Sequence, residues 1–282
     1  MKLEEPASGL GTSPVEAPGK NQKANHLPLA VLGLLIIIGT YLGAFFAGPG
    51  TLGTNLGGTT LFVLLGYVLG AGLLLWSALP QLNPRTLALL PLVIVVNTVV
   101  GQIIGYSGLP LYLDSVGTIF LGVLAGPFAG AAAGILSNLI WGLMTPSVIP
   151  FSAGAALIGL ASGVAGKLFT SNLKPSLQKL WFIICGAGTG VIAALVAAPV
   201  AAYIQGGGFG IGTAGVVGVF QSMGMSMLGA VTAQSLISDI LDKTVAFTIA
   251  MLAVFALPPR TRNRWLRARD TKHSAKANQS AK

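Results

Sequence analysis

Outside the two ends of the chain, only three acidic side chains occur: Asp114, Asp239 and Asp242. All three sit in or beside long apolar runs, where an ionisable group is costly and marks a functional position unless a partner neutralises it. Asp239 and Lys243 are four residues apart, the spacing of an ion pair along one helix face. That pairing leaves Asp242 as the less compensated carboxylate. Asp242 lies seven or eight positions after Ser235 and Gln234 and four after Ser238, so a helix would place these on one stripe. Asp114 stands directly before Ser115, and both residue types cap helix N-termini. The embedded amides are Asn97, Gln102, Asn138 and Gln221. Each needs hydrogen-bond partners, which either another helix or a polar solute can supply. Tyr106, Tyr112 and Trp141 serve either as an interfacial aromatic belt or as stacking surfaces for a flat ligand.

Several chemistries are excluded. The only histidines, His26 and His273, lie in polar terminal segments, and Cys185 is the only cysteine. No disulfide framework, cysteine metal cluster or histidine-based triad can be assembled from this set. No catalytic residue, resident metal or cofactor is therefore assigned. Gly210–Gly215 fits GxGxxG but follows a glycine run, with no βαβ unit around it. Ala161–Leu168 resembles a phosphate-binding loop but lacks its first glycine and its final Ser or Thr. Uphill movement of anything would thus draw its energy from a partner or an ion gradient.

The elements that must position these groups follow from composition. Of 282 residues, 53% are apolar and only 8% charged, against about 25% charged in soluble domains. The mean hydropathy is +0.80. Lipid must be the solvent for most of such a chain, which restricts the spanning backbone to helices or a closed barrel. The runs show no sustained period of two, so the expected fold is all-α and polytopic. Eight spans are expected, near Leu27–Phe46, Leu56–Leu79, Thr86–Ile104, Ser115–Ala125, Phe128–Met144, Ile149–Gly166, Leu180–Ile204 and Leu228–Leu257. Residues 1–26 read as a disordered tail, 27–80 as two spans, 86–257 as a six-helix core and 258–282 as a basic tail.

Charge placement sets the expected sidedness. With an internal N-terminus, fifteen of the sixteen Lys and Arg residues fall in cytoplasmic pieces, and Lys243 is the exception. This bias implies a multi-pass protein of the cytoplasmic membrane with both termini inside, and it accounts for the net charge of +9 without nucleic acid. Gly126-Pro127 breaks the apolar run Ser115–Met144 into a tight hairpin, because proline lacks the amide donor and clashes with the preceding turn. Its first arm is short for a ~30 Å hydrocarbon core and must tilt or be buried. Gly206–Gly215 is expected to form an external loop, and Val216–Met227 an apolar segment on the outer face. Small residues four apart, as in Ala129/Ala133, Gly130/Gly134, Ala155/Gly159/Gly163, Ala161/Ala165 and Gly186/Gly190, permit close helix contact within the bundle or with another membrane protein.

The run Leu109–Met144 resembles the substrate-binding S components of energy-coupling factor transporters. The resemblance rests on Leu113-Asp114-Ser115, Gly117-Thr118, Gly126-Pro127, Gly130, Ser137-Asn138 and Trp141-Gly142, and on the later segment with Asp239, Asp242 and Lys243. It covers roughly Thr86–Leu257. It implies a six-helix bundle that holds a vitamin-like small solute near its outer face. It also implies a transmembrane coupling subunit and two ATP-binding cassette ATPases as partners. Spans one and two are additional to that pattern. Thr86–Val96 lacks the alanine-x-x-x-alanine pair that often marks the coupling-subunit contact, so Ala155, Gly159 and Gly163, or Ala161 and Ala165, are the expected docking residues.

The expected function is therefore capture of a micronutrient or metal for ATP-driven uptake by partner subunits. The expected pocket draws on Asn97, Gln102, Tyr106, Asp114, Thr118, Asn138, Trp141, Gln234, Ser238 and Asp242, with Asp114 and Asp242 taking cationic or donor groups. Gly206–Gly215 would gate it. The alternative is a membrane-embedded ligand sensor, which normally carries a larger cytoplasmic output domain. An intramembrane enzyme is disfavoured by the lack of a catalytic set.

Overall fold

The architecture was taken from a computed structural model, which describes residues 26–47, 58–169, 175–207 and 211–280. The expected disordered tail, residues 1–25, lies outside the described residues, as do residues 208–210 of the glycine-rich loop. Among the described residues all regular structure is helical. The helices are α1 Leu27–Ala47, α2 Gly58–Ala78, α3 Pro84–Tyr106, α4 Val116–Ala125, α5 Pro127–Gly142, α6 Ser152–Phe169, α7 Pro175–Tyr203, α8 Ile211–Ser222, α9 Met227–Ala256 and α10 Pro259–Ser280. Short 3-10 segments cover Leu79–Gln81 and Pro146–Phe151.

The chain is an all-α polytopic membrane protein. Five helices or helical stretches are long and apolar enough to cross a bilayer: α1, α2 with its 3-10 extension, α3, α6 with the 3-10 segment before it, and α7. The long α9 qualifies only together with α10 as far as Arg269, the two being bent by 114° at their junction, and makes a sixth if that pair is one span. Leu35, Leu65, Leu92, Ile103 and Leu252 are each more than half exposed, as lipid-facing side chains are. The eight expected spans all occur as helices, but α4 and α5 differ in kind. At 1.5 Å per residue they reach only ~15 and ~24 Å. The short α4 is buried rather than tilted through lipid: Gly117, Thr118, Ile119, Leu121, Gly122, Val123 and Leu124 are all enclosed by neighbouring helices.

Local chemistry sets the helix ends. Asn83 caps α3, accepting the Thr86 amide at 2.8 Å, with Pro84 in the first turn where a missing N–H costs nothing. Ser226 caps α9 through the Gly229 amide. Between α4 and α5, Gly126 adopts φ 104° and ψ 173°, a conformation reserved for glycine, and Pro127 starts the next helix.

Glycines bring the helices within backbone contact. A Cβ on Gly190 would lie 2.5 Å from the Asp239 carbonyl oxygen, and one on Gly186 would lie 2.7 Å from the Thr244 Cα, which fixes α7 against α9. A Cβ on Gly159 would collide with the Gly130 backbone, and one on Gly163 with Pro127. The small-residue row on α6, expected at a partner interface, is thus largely spent inside the bundle. Ala155 backs onto Gly134, and Ala165 is buried beneath Trp181, whose indole donates to its carbonyl. Ala161 is half-buried.

Helices α1 and α2 form a hairpin whose Ile37, Tyr67 and Leu74 share a core with Ile135 of α5, Ala153 of α6 and Val200 of α7. They are part of the same packed body as the six core helices. The expected basic tail is helical as α10. Its Arg269 is buried and donates to the Val123 carbonyl at 2.7 Å, at the end of α4. Helix α8 covers the expected apolar segment but starts at Ile211, which shortens the expected glycine-rich loop. The phosphate-loop lookalike Ala161–Leu168 is continuous helix in α6 and forms no loop.

Candidate functional site

Four helices converge on the α3–α4 connection, and a network of polar side chains holds them there. Asn97, buried on α3, donates to Thr118 Oγ1 at 2.8 Å on α4 and to Ser137 Oγ at 3.0 Å on α5. Its carbonyl accepts the Gly117 amide at 2.8 Å. That amide is one of the unpaired donors of the first turn of α4. Ser115 makes no side-chain cap, so the amide from another helix does this work.

The loop before α4 is anchored on α9. Asp242, fully buried, accepts the amides of Tyr112 at 2.9 Å and Leu113 at 2.7 Å on one oxygen. Leu113 has φ 48°, the left-handed region that non-glycine residues rarely adopt. Successive amides around such a residue form a concave anion seat, and Asp242 fills it. The other Asp242 oxygen takes the Lys243 ammonium at 2.5 Å, and the same ammonium reaches Asp114 at 3.3 Å. Lys243 therefore pairs with Asp242 and Asp114, not with Asp239 as its spacing suggested. Asp242 is the most compensated of the three carboxylates. The loop changes the expected pairing by carrying Asp114 over the helix and by fixing Asp242 with its amides.

Beside this anchor is a cavity of about 80 Å³, room for roughly five to eight waters at 10–15 Å³ each. Tyr112, Asp114, Ser115 and Thr118 form its rim and one wall; Asn138 and Trp141 come from α5; Ser235, Asp239 and Lys243 come from α9. The remainder is apolar, with Phe151 and Ile158 beside small residues that include Ala155 of α6 and Ala193, Ala197 and Ala201 of α7. Asp239 is 4% exposed and has no hydrogen bond or ion pair among the described residues. Burial lifts the Tyr112 phenol above its ordinary range, with the Asp239 charge adding to the rise, so the phenol stays protonated; it is bonded to Thr213 of α8.

Of the ten residues expected to form the pocket, Asp114, Thr118, Asn138 and Trp141 line the cavity. The other six do not. Asn97 and Asp242 are spent on the frame just described. Gln234 donates to Ser238 at 2.7 Å, so these two satisfy each other within α9. Gln102 is half-buried on α3 away from the cavity, and Tyr106 is 80% exposed at the end of α3, as a belt residue would be. Tyr112, Ser115, Ser235, Asp239 and Lys243 belong to the cavity and were not assigned to it from sequence. For α9 a usable signal existed: Ser235, already placed on the expected stripe, recurs at steps of four with Asp239 and Lys243.

The set offers two carboxyl groups, one ammonium, one amide, hydroxyls and three aromatic rings. It contains no nucleophile with an adjacent base, and among the described residues no three His, Cys, Asp or Glu side chains converge as metal ligands would. Such a site can bind and orient a small polar molecule. No family model, curated protein or solved structure matches this chain.

Proposed function

We propose that this chain is the solute-capturing membrane subunit of an importer of the energy-coupling-factor type. The observation that carries this reading is the cavity itself. It is built where the Leu109–Met144 motif meets the Asp239–Lys243 segment, the two stretches on which the resemblance rests, and it draws polar groups from both. A cavity lined mainly by apolar groups with a few placed polar ones is the usual form of a small-molecule site. The phosphate-loop lookalike Ala161–Leu168 is helix, and on this reading the energy for uptake would come from a transmembrane coupling subunit and two ATP-binding cassette ATPases. The cavity end would face the outside of the cytoplasmic membrane, and α10 the cytoplasm.

The α6 row is occupied by internal contacts, which directs the proposed docking surface elsewhere on the bundle. The test is co-purification of the tagged chain from its native membranes in several mild detergents, with mass spectrometry of bound proteins and of small molecules. Recovery of ATP-binding cassette subunits together with a retained micronutrient is expected. Consistent absence of any ATPase would sink the importer reading.

A further inference from the structure

The cavity holds a carboxyl group with no ion pair. Asp114 and Asp239 line it, Asp242 lies in the frame beside it, and the one ammonium, that of Lys243, is engaged by Asp114 and Asp242. Asp242 also receives two backbone amides. Asp239 makes no hydrogen bond or ion pair among the described residues, although it is 96% removed from solvent and lies on the cavity wall, and the Lys243 charge acts on it only at longer range. A buried ionised carboxylate without partner or hydrogen bond is strongly unfavourable. A cation or hydrogen-bond donor entering the cavity would supply the partner that the described residues do not.

The surroundings define that partner. Trp141 presents an aromatic ring to the same cavity, and Ser235, one turn before Asp239 on α9, adds a hydroxyl. A cation over an indole face gains further attraction. The alanines of α6 and α7 give an apolar floor with no charge of their own. The carboxylates do not suit a metal ion, since Lys243 already joins two of them and no third ligand group converges on Asp239.

We infer that Asp239 is the anchor for an organic cation, a protonated nitrogen carried on a small flat apolar body, which completes the charge balance of the cavity. This rests on the capture reading above and narrows it to one class of solute. Asp114, the carboxylate favoured by sequence, is already engaged by Lys243 and serves to position that lysine.

Three probes of one shape separate the outcomes: benzylammonium, benzyl alcohol and benzoate, titrated at neutral pH into the full chain in lipid nanodiscs. Benzylammonium should bind at least about tenfold more tightly than benzyl alcohol, the scale of one charge-assisted hydrogen bond. Benzoate should bind most weakly. Asp239→Asn should erase the preference for the cation over benzyl alcohol, and Ala197→Phe, which fills the cavity, should abolish binding of all three. Equal binding of benzylammonium and benzyl alcohol by the unaltered chain would overturn the inference and leave capture standing, because Asp239 would then be neutral or turned away. Retention of the preference in Asp239→Asn would also overturn it. Binding of none of the three would remove both the inference and the cavity as the capture site.

Discussion

The Asp242 carboxylate accepts the Leu113 amide at 2.7 Å, and Leu113 is the one non-glycine residue with positive φ among those described. A left-handed non-glycine residue costs about 1–2 kcal/mol and persists only where its surroundings over-determine it. Here a side chain 129 residues away in sequence does so. Asp242 is thus a framework residue, whereas Asp239, three positions earlier, makes no such bond.

Replacing each tests this division. Asp242→Asn removes one partner of a buried pair and should destabilise the protein by about 3–5 kcal/mol. Asp239→Asn removes a charge that no described group pairs and should be neutral or stabilising. Thermal unfolding in detergent, followed by circular dichroism, reads both. The opposite order would mean that Asp239 holds the fold and Asp242 does not.

Asn97→Ala should be among the most damaging single changes in the core. It leaves the Gly117 amide, Thr118 and Ser137 without the partner that joins α3, α4 and α5. One buried group left unsatisfied costs about 1–3 kcal/mol, so a loss of roughly 2–4 kcal/mol is expected after relaxation. Denaturant titration in mixed micelles gives the number, and a change under about 0.5 kcal/mol, the size of an ordinary surface substitution, would contradict the network.

The glycines fall into two classes that substitution can tell apart. Gly159→Val drives a side chain into the Gly130 backbone and should cost at least about 1–3 kcal/mol, the range for overpacking. A Cβ on Gly188 meets nothing within 4 Å, so Gly188→Ala should stabilise α7 by up to about 1 kcal/mol through helix propensity. Comparable losses in both variants would show that α5 and α6 are not in backbone contact.

Sidedness has its own readout. A cysteine at Arg264, on the exposed side of α10, in a chain with Cys185→Ser, should react with a membrane-impermeant maleimide only after the membrane is opened. Labelling of intact cells would reverse the topology and place the cavity on the cytoplasmic side.

Much of the fold was legible because it depends on local rules. Apolar length located eight helices to within a few residues, and Gly126-Pro127 marked the hairpin because its backbone conformation suits only glycine. Of the expected pocket residues, Asp114, Thr118, Asn138 and Trp141 lie in one continuous stretch and share the cavity. The α9 residues on the cavity were not legible, because the pairing of Lys243 depends on a loop that folds back from α3. Spacing along one helix favours Asp239 as the partner, but tertiary placement of Asp114 and two backbone amides decided for Asp242. The ordering of α10 was hidden for a similar reason. Its contact with the core includes a guanidinium meeting the Val123 carbonyl, which no composition or period announces.

The alanines at 193, 197 and 201 separate two properties that binding sites commonly entangle. Shape on that wall is set by α7, which contributes no charge, and charge is set by α9 and the α3–α4 loop, which are locked by the framework. A methyl-sized change on α7 alters what fits without disturbing which charge is preferred. A lineage could therefore move between solutes of one ionic type by single substitutions on one helix, keeping its electrostatic selectivity while its steric selectivity drifts.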